Sequence, residues 1–289
     1  MFYTLAIGSM LGYVLQNLLL ARYVRKIDSL TVALHRNLSL LITMSPLLIG
    51  ATRGDFLWFL HTWKLQAISG ILGGLYLFVT YVSWRSIAIS VASAFTKATA
   101  TILMVFIGWI FLGQTLSITA LMLIGLVIIG AVLLGIVRNN FAHLDGRLFY
   151  GIALNVFSAF LVACTNAILA KMNEAGSPLV NGYFWEATIL IGCAVLIGGR
   201  FLFQRTSIQR ISLRQWLIIA LCSAPTIAGT ACYSMATLLG PVAVINSIGT
   251  GSLVFTSLLG WWWYGEKLHG KQWLAIGLVM AGIVGLKFV

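Results

Sequence analysis

Charge is what this sequence has least of. Only 8% of its 289 residues are charged, and only six are acidic, where a soluble domain carries roughly a quarter. A chain of this length could not cover a water-facing surface with so few ionic groups, so a water-soluble fold is excluded. Cysteine is scarce too, at four residues. Cys164, Cys193, Cys222 and Cys232 all fall in apolar stretches, none has a CxxC partner, and no His/Cys cluster has metal-ligand spacing. They read as buried free thiols, and neither a disulfide framework nor a metal site is expected. Also missing are a G-x-S-x-G elbow, a Walker-type lysine loop and a pair of carboxylates at one depth. The four histidines (His35, His61, His143, His269) fall at or near expected loops, which argues against an intramembrane enzyme. No enzyme activity and no cofactor are expected.

What is present is hydrophobic, at 60% of residues. A helix needs about twenty apolar residues to cross a bilayer. Ten runs qualify: 2–21, 31–52, 65–84, 87–110, 117–137, 148–170, 179–199, 215–237, 241–263 and 271–288. The expected fold class is an all-α polytopic membrane protein with ten transmembrane helices. The first run has no basic region before it and reads as a mature span rather than a cleaved leader. The net charge of +12 is spread over short loops. It fits anionic headgroups and topology rather than nucleic acid.

A shift of 152 residues lays the chain on itself without a gap. Tyr81 falls on Tyr233, Gly108-Trp109 on Gly260-Trp261, Gly113 on Gly265, Leu116 on Leu268, Gly125 on Gly277 and Gly130 on Gly282. This pattern predicts an internal duplication of a five-helix unit, 1–140 and 141–289. Five is odd, so the second copy enters the membrane upside down, giving an inverted repeat. Within it, "FLGQTL" (111–116) and "YGEKL" (264–268) mark the break between the fourth and fifth helix of each copy. Glycine ends the helix in the left-handed conformation, and the polar Gln114 or Glu266 follows at the interface. Glu266 thus reads as structural punctuation rather than as a catalytic carboxylate.

These stretches, "SAFTKATATILMVFIGWIFLGQTLSITALMLIGLVIIGAVLL" (93–134) and "VINSIGTGSLVFTSLLGWWWYGEKLHGKQWLAIGLVMAGIVGL" (244–286), resemble the closing half of an EamA-type repeat of the drug/metabolite transporter superfamily. The five-plus-five layout extends the resemblance to the whole chain. It implies a secondary transporter in a bacterial inner (plasma) membrane, with both termini cytoplasmic. That superfamily exports amino acids, drugs and other metabolites, and moves sugar nucleotides and phosphates.

Ionisable groups inside spans are costly and need an account. Lys97 lies near the middle of the fourth run, within "SAFTKATAT", and its repeat equivalent is Gly249. It is either a structural cation, paired with backbone carbonyls or Glu186, or a counter-ion in a water-filled substrate cavity. Ser90, Ser93, Thr96, Thr99 and Thr101 would hydrate such a cavity. Glu186, in "GYFWEATIL", could pair with Lys97, bind a substrate amine or carry a coupling proton. Arg36 is near enough to the start of the second run to anchor at the interface, and the family resemblance implies a gating ion pair as the alternative. Gly70, Gly73 and Gly74 in the third run and Pro225 and Gly229 in the eighth are expected to break helices around a midplane site. Beyond them lie Tyr81, Trp84 and Tyr233, which serve either the site or ordinary aromatic packing. Asn17, Asn155 and Asn166 line a cavity or bridge helices.

A secondary transporter of a small polar metabolite, working by alternating access, accounts for most of these features. Lys97 and Glu186 together suit a zwitterion such as an amino acid. Lipophilic cations, through Glu186 with Trp84 and Tyr233, are the runner-up, and sugar phosphates or sugar nucleotides come third. A membrane scaffold would have no use for a buried lysine. The partners expected are the solute, a coupling proton, lipids and, through small-xxx-small faces, a second copy; monomer and homodimer stay open. Loops after odd-numbered runs carry twelve Lys/Arg, and the other side carries four. The positive-inside rule therefore places the termini outside, against the family resemblance.

Overall fold

In the computed structural model the described residues are 1–24, 26–87, 89–138, 146–205, 207–264 and 268–289, and they form helices without a strand. These are α1 (Phe2–Val24), α2 (Ser29–Thr43), α3 (Arg53–His61), α4 (Trp63–Ser86), α5 (Ile89–Leu112), α6 (Ile118–Arg138) and α7 (Gly146–Met172). There follow α8 (Pro178–Gln204), α9 (Leu213–Ser223), α10 (Thr226–Thr237), α11 (Val242–Thr250), α12 (Ser252–Tyr264) and α13 (Gly270–Gly285). Single 3₁₀ turns cover Ser45–Leu48 and Leu286–Phe288. Glu266 and its neighbours Gly265 and Lys267 lie outside the described residues, as does His143.

Among the described residues nine helical stretches are long and apolar enough to cross a membrane, with α9–α10 and α11–α12 each counting as one. The expected second span falls short. Its helix, α2, has 15 residues, about 22 Å at 1.5 Å per residue. The sequence explains the stop. Pro46 has no N–H to offer the Ile42 carbonyl, and the Ser45 hydroxyl takes that carbonyl instead at 2.8 Å. His35 correspondingly sits inside α2 rather than at a loop.

The segment from α2 through the 3₁₀ turn nevertheless runs antiparallel along the whole of α8. Before α2, Asp28 accepts from Arg200 Nη1 at 2.9 Å, and its N–H donates to Gln209 at 2.9 Å, both near the end of α8. After it, Asp55 accepts the Ser177 N–H at the start of α8, and Trp58 Nε1 donates to the Met172 carbonyl at 3.0 Å. Thr52 and Asp55 also form a capping box that starts α3. Backbone N–H groups of Thr52 and Ser177 hold the Asp55 carboxyl below its ordinary pKa.

The glycines of α4 do not break it. Trp63–Ser86 is one helix, and its glycine face lies against α8 at backbone contact distance. A Cβ on Gly74 would come 2.6 Å from the Gly192 carbonyl carbon, and one on Gly192 would overlap the Gly70 carbonyl. The expected interruption does occur in the matching run. Pro225, having no N–H, separates α9 from α10, and α1 lies so close that a Cβ on Gly12 would sit 2.7 Å from the Pro225 carbonyl oxygen. A further interruption at Gly251, between α11 and α12, was not expected.

Gly113 has φ +63°, the left-handed conformation expected of it, and ends α5. Gln114 does more than punctuate. Its Oε1 accepts the Val242 N–H at 3.0 Å, capping α11 in the other half of the chain. Elsewhere α6 and α13 pack together through reciprocal contacts. A Cβ on Gly130 would lie 2.7 Å from Val279, and one on Gly282 would lie 2.5 Å from Val127. The small-residue face at Gly130 is therefore occupied within the molecule.

Candidate functional site

At the centre of the bundle is a cavity of about 130 Å³ whose walls come from α1, α2, α4, α5, α7, α8, α10, α11 and α12. The intramembrane charges meet here. Lys97, Glu186, Tyr81, Trp84, Tyr233 and Asn17 all line it, as do Arg36 and Asn166. Asn155 does not. It is fully buried behind the wall, donating to Ser83 Oγ at 2.5 Å and to the Gly151 carbonyl, and accepting from Thr96 Oγ1 at 2.9 Å. It is thus a bridge between α7, α4 and α5.

Arg36 is not an interfacial anchor. Its guanidinium is buried and its Nη1 donates to Glu186 Oε2 at 2.9 Å, with side-chain exposures of 4% and 3%. The rest of its fork is also satisfied. Nη1 reaches Asn37 Oδ1 at 2.9 Å, and Nη2 reaches Gln16 Oε1 at 2.9 Å. Thr226 Oγ1 also donates to that Gln16 oxygen, and Thr230 Oγ1 donates to Glu186 Oε1 at 3.3 Å. Residues from α1, α2, α8 and α10 thereby close one polar network across the bundle. A buried pair of this kind is held in place by its hydrogen bonds, because losing one partner strands the other charge.

Lys97 stands apart from this network. It makes no hydrogen bond or ion pair with any described residue, and across the cavity a Cβ on Gly249 would lie 3.9 Å from its Nζ. Of the alternatives open for Lys97, pairing with Glu186 is therefore not formed, and Glu186 pairs with Arg36 instead. Three more donors in the wall have no partner among the described residues: the Tyr81 and Tyr233 hydroxyls and the Trp185 indole Nε1. Ser93 and Thr96 also line the cavity, whereas Thr101 bonds to Thr250 at 3.2 Å. The side chain of Ser90 lies outside the described residues.

Several wall residues escaped the sequence reading. Gln16 stands beside Asn17 in the first run, and its polarity was a usable signal. Asn246, which accepts from Asn166 at 3.5 Å, was another. Tyr13, Tyr76 and Trp185 carried none, because aromatic residues are common throughout the apolar runs and only packing selects those that face inward.

The EamA-like transporter family model matches residues 1–136 and 149–288. A Sinorhizobium protein described as an uncharacterized transporter in the cobO 3′ region is 30% identical over 130 residues, which is 44% of this chain and 91% of that protein. A solved crystal structure with 15% identity superposes with a TM-score of 0.73, covering 99% of this chain and 96% of the other. At that identity it speaks for the fold alone. With the family model spanning both halves of an apolar helical bundle, the chain belongs to the EamA-like transporter family and is an integral membrane transporter.

Proposed function

We propose that the protein is a secondary transporter that carries a small carboxylate-bearing metabolite, of amino-acid size, through the central cavity by alternating access. The observation that carries this reading is Lys97, a cation in the cavity wall without a carboxylate partner among the described residues. An unpaired ammonium at this depth is costly, and a substrate carboxylate would offset that cost. Size argues the same way. About 130 Å³ compares with roughly 150 Å³ for a cavity that takes benzene, and falls well below the roughly 300–1,000 Å³ of drug-sized pockets. Sugar nucleotides are too large for it. Lipophilic cations meet a wall whose carboxylate is already neutralised by Arg36.

Alternating access needs two bodies that rock about the site, and we assign them to the inverted units 1–140 and 141–289. Support comes from the reciprocal contacts of α6 and α13, since Val127 and Gly130 precede Val279 and Gly282 by the same 152 residues. Reciprocity of this kind is the mark of a two-fold relation. Repeat-equivalent Tyr81 and Tyr233 both face the cavity, as do Lys97 and Gly249. The α2 segment supplies the tenth crossing in this scheme, because its two flanks bond to opposite ends of α8. Glu186 is the one carboxylate among the described lining residues, so a coupling proton would be carried there. A thermal-shift screen of the purified protein tests the substrate class. Small carboxylates should stabilise it, while tetraphenylphosphonium and a sugar nucleotide should not. Stabilisation by the cation alone would contradict the proposal.

A further inference from the structure

From the distribution of charge in the cavity we infer that the transported species is a small organic monoanion with no ammonium group. A 2-oxo or 2-hydroxy acid should be preferred over the amino acid with the same side chain. The inference rests on the reading of Lys97 as the carboxylate site and refines its substrate class.

A zwitterion needs two opposite charges in the wall, and the cavity has only one to spare. Glu186 is the lone carboxylate among the described lining residues, and both its oxygens are engaged, by Arg36 Nη1 at 2.9 Å and by Thr230 Oγ1 at 3.3 Å. Recruiting it to a substrate amine would expose the buried Arg36 guanidinium to the same deficit that a missing partner creates. The unshared polar atoms point to the opposite sign. Lys97 Nζ and Trp185 Nε1 can only donate, and the Tyr81 and Tyr233 hydroxyls are free to donate. Neutral acceptors such as the Asn166 amide are present, and the aromatic walls offer ring faces to a cation. Neither supplies a full countercharge, and Lys97 repels an ammonium in the same small space. A carboxylate beside a short apolar body, with a neutral oxygen where the amine would be, suits these donors and asks for no second countercharge.

The test uses a pair of nearly equal shape, 2-oxoisovalerate and valine, with inorganic phosphate as a third probe. Binding to the purified full-length protein in lipid nanodiscs is measured by calorimetry. The oxo acid should bind at least tenfold more tightly than valine and than phosphate, and Lys97→Met should abolish that binding while the protein keeps its size-exclusion profile. Valine binding as tightly as the oxo acid, in a Lys97-dependent way, would overturn the monoanion inference and leave the carboxylate site standing. Phosphate binding as tightly as the oxo acid would also overturn it. If neither organic acid binds, or if Lys97→Met binds the oxo acid like the wild type, the inference falls together with the reading beneath it.

Discussion

Two cations in the wall of this cavity have opposite fates, and neighbours decide which. Arg36 is neutralised by Glu186 and held by Gln16 and Asn37, so its charge belongs to the scaffold. Glu186→Ala should therefore cost about 3–5 kcal/mol of stability, the usual penalty for stranding one member of a buried pair. The double variant Arg36→Met with Glu186→Leu should recover much of that loss. Chemical unfolding of the wild type, Arg36→Met, Glu186→Leu and the double variant gives the coupling directly, and a Glu186→Ala loss below about 1 kcal/mol would show that the pair is not what it looks like. Lys97 and Glu186 were both legible in the sequence as ions stranded in apolar runs, but which of them has a partner was not. Depth along a run places a residue across the bilayer and says nothing of which helix lies beside it. The anchoring alternative for Arg36 failed for that reason, since its partner is 150 residues away. Asn155 and Asn17 were equivalent by the same criterion, yet one faces the cavity and the other bridges helices.

At the scale of the elements, glycine and proline carried different amounts of information. Proline breaks a helix through its own missing N–H, so the interruption at Pro225 followed from the sequence alone. Glycine permits a bend or a close approach, and only the neighbour shows which. In α4 it is close approach. Gly192→Val, which puts bulk against the Gly70 carbonyl, should cost at least the 1–3 kcal/mol or so typical of overpacking. Gly125→Ala, with nothing within 4 Å of the added carbon, should leave the midpoint of thermal unfolding unchanged or raised. A Gly192→Val protein as stable as wild type would refute the α4–α8 contact. The link between the α1–α2 turn and α8 makes a further prediction. Burial pushes the Asp28 carboxyl up, but the bond from Arg200 and those from the Thr31 N–H and hydroxyl outweigh it, and its pKa is lowered. A carboxyl depressed in the fold stabilises above its unfolded value, about 3.9, and that contribution is lost as pH falls through the folded value. Stability measured against pH should thus decline more steeply on the acid side for wild type than for Asp28→Asn. Parallel curves would contradict the link.

For the whole molecule, the 152-residue self-match was the most legible feature and the shortness of α2 the least. The 152-residue shift places Val127 on Val279 and Gly130 on Gly282, the residues that meet reciprocally. Composition alone could not show that Pro46 would cut α2 short of a full span. For orientation we propose the side that charge favours: the positive-inside rule would put the α8–α9 link in the cytoplasm. On a background lacking Cys164, Cys193, Cys222 and Cys232, Ser207→Cys should therefore be shielded from an impermeant thiol reagent in intact cells. Ready labelling would restore the orientation that the family resemblance implies.

The central claim is that Lys97 receives the substrate's carboxylate during transport, and counterflow in proteoliposomes tests it most directly. Vesicles loaded with unlabelled 2-oxoisovalerate should accumulate the labelled compound transiently when they contain wild-type protein, and not when they contain equally well-folded Lys97→Met. Accumulation by the variant at the wild-type rate would contradict the account.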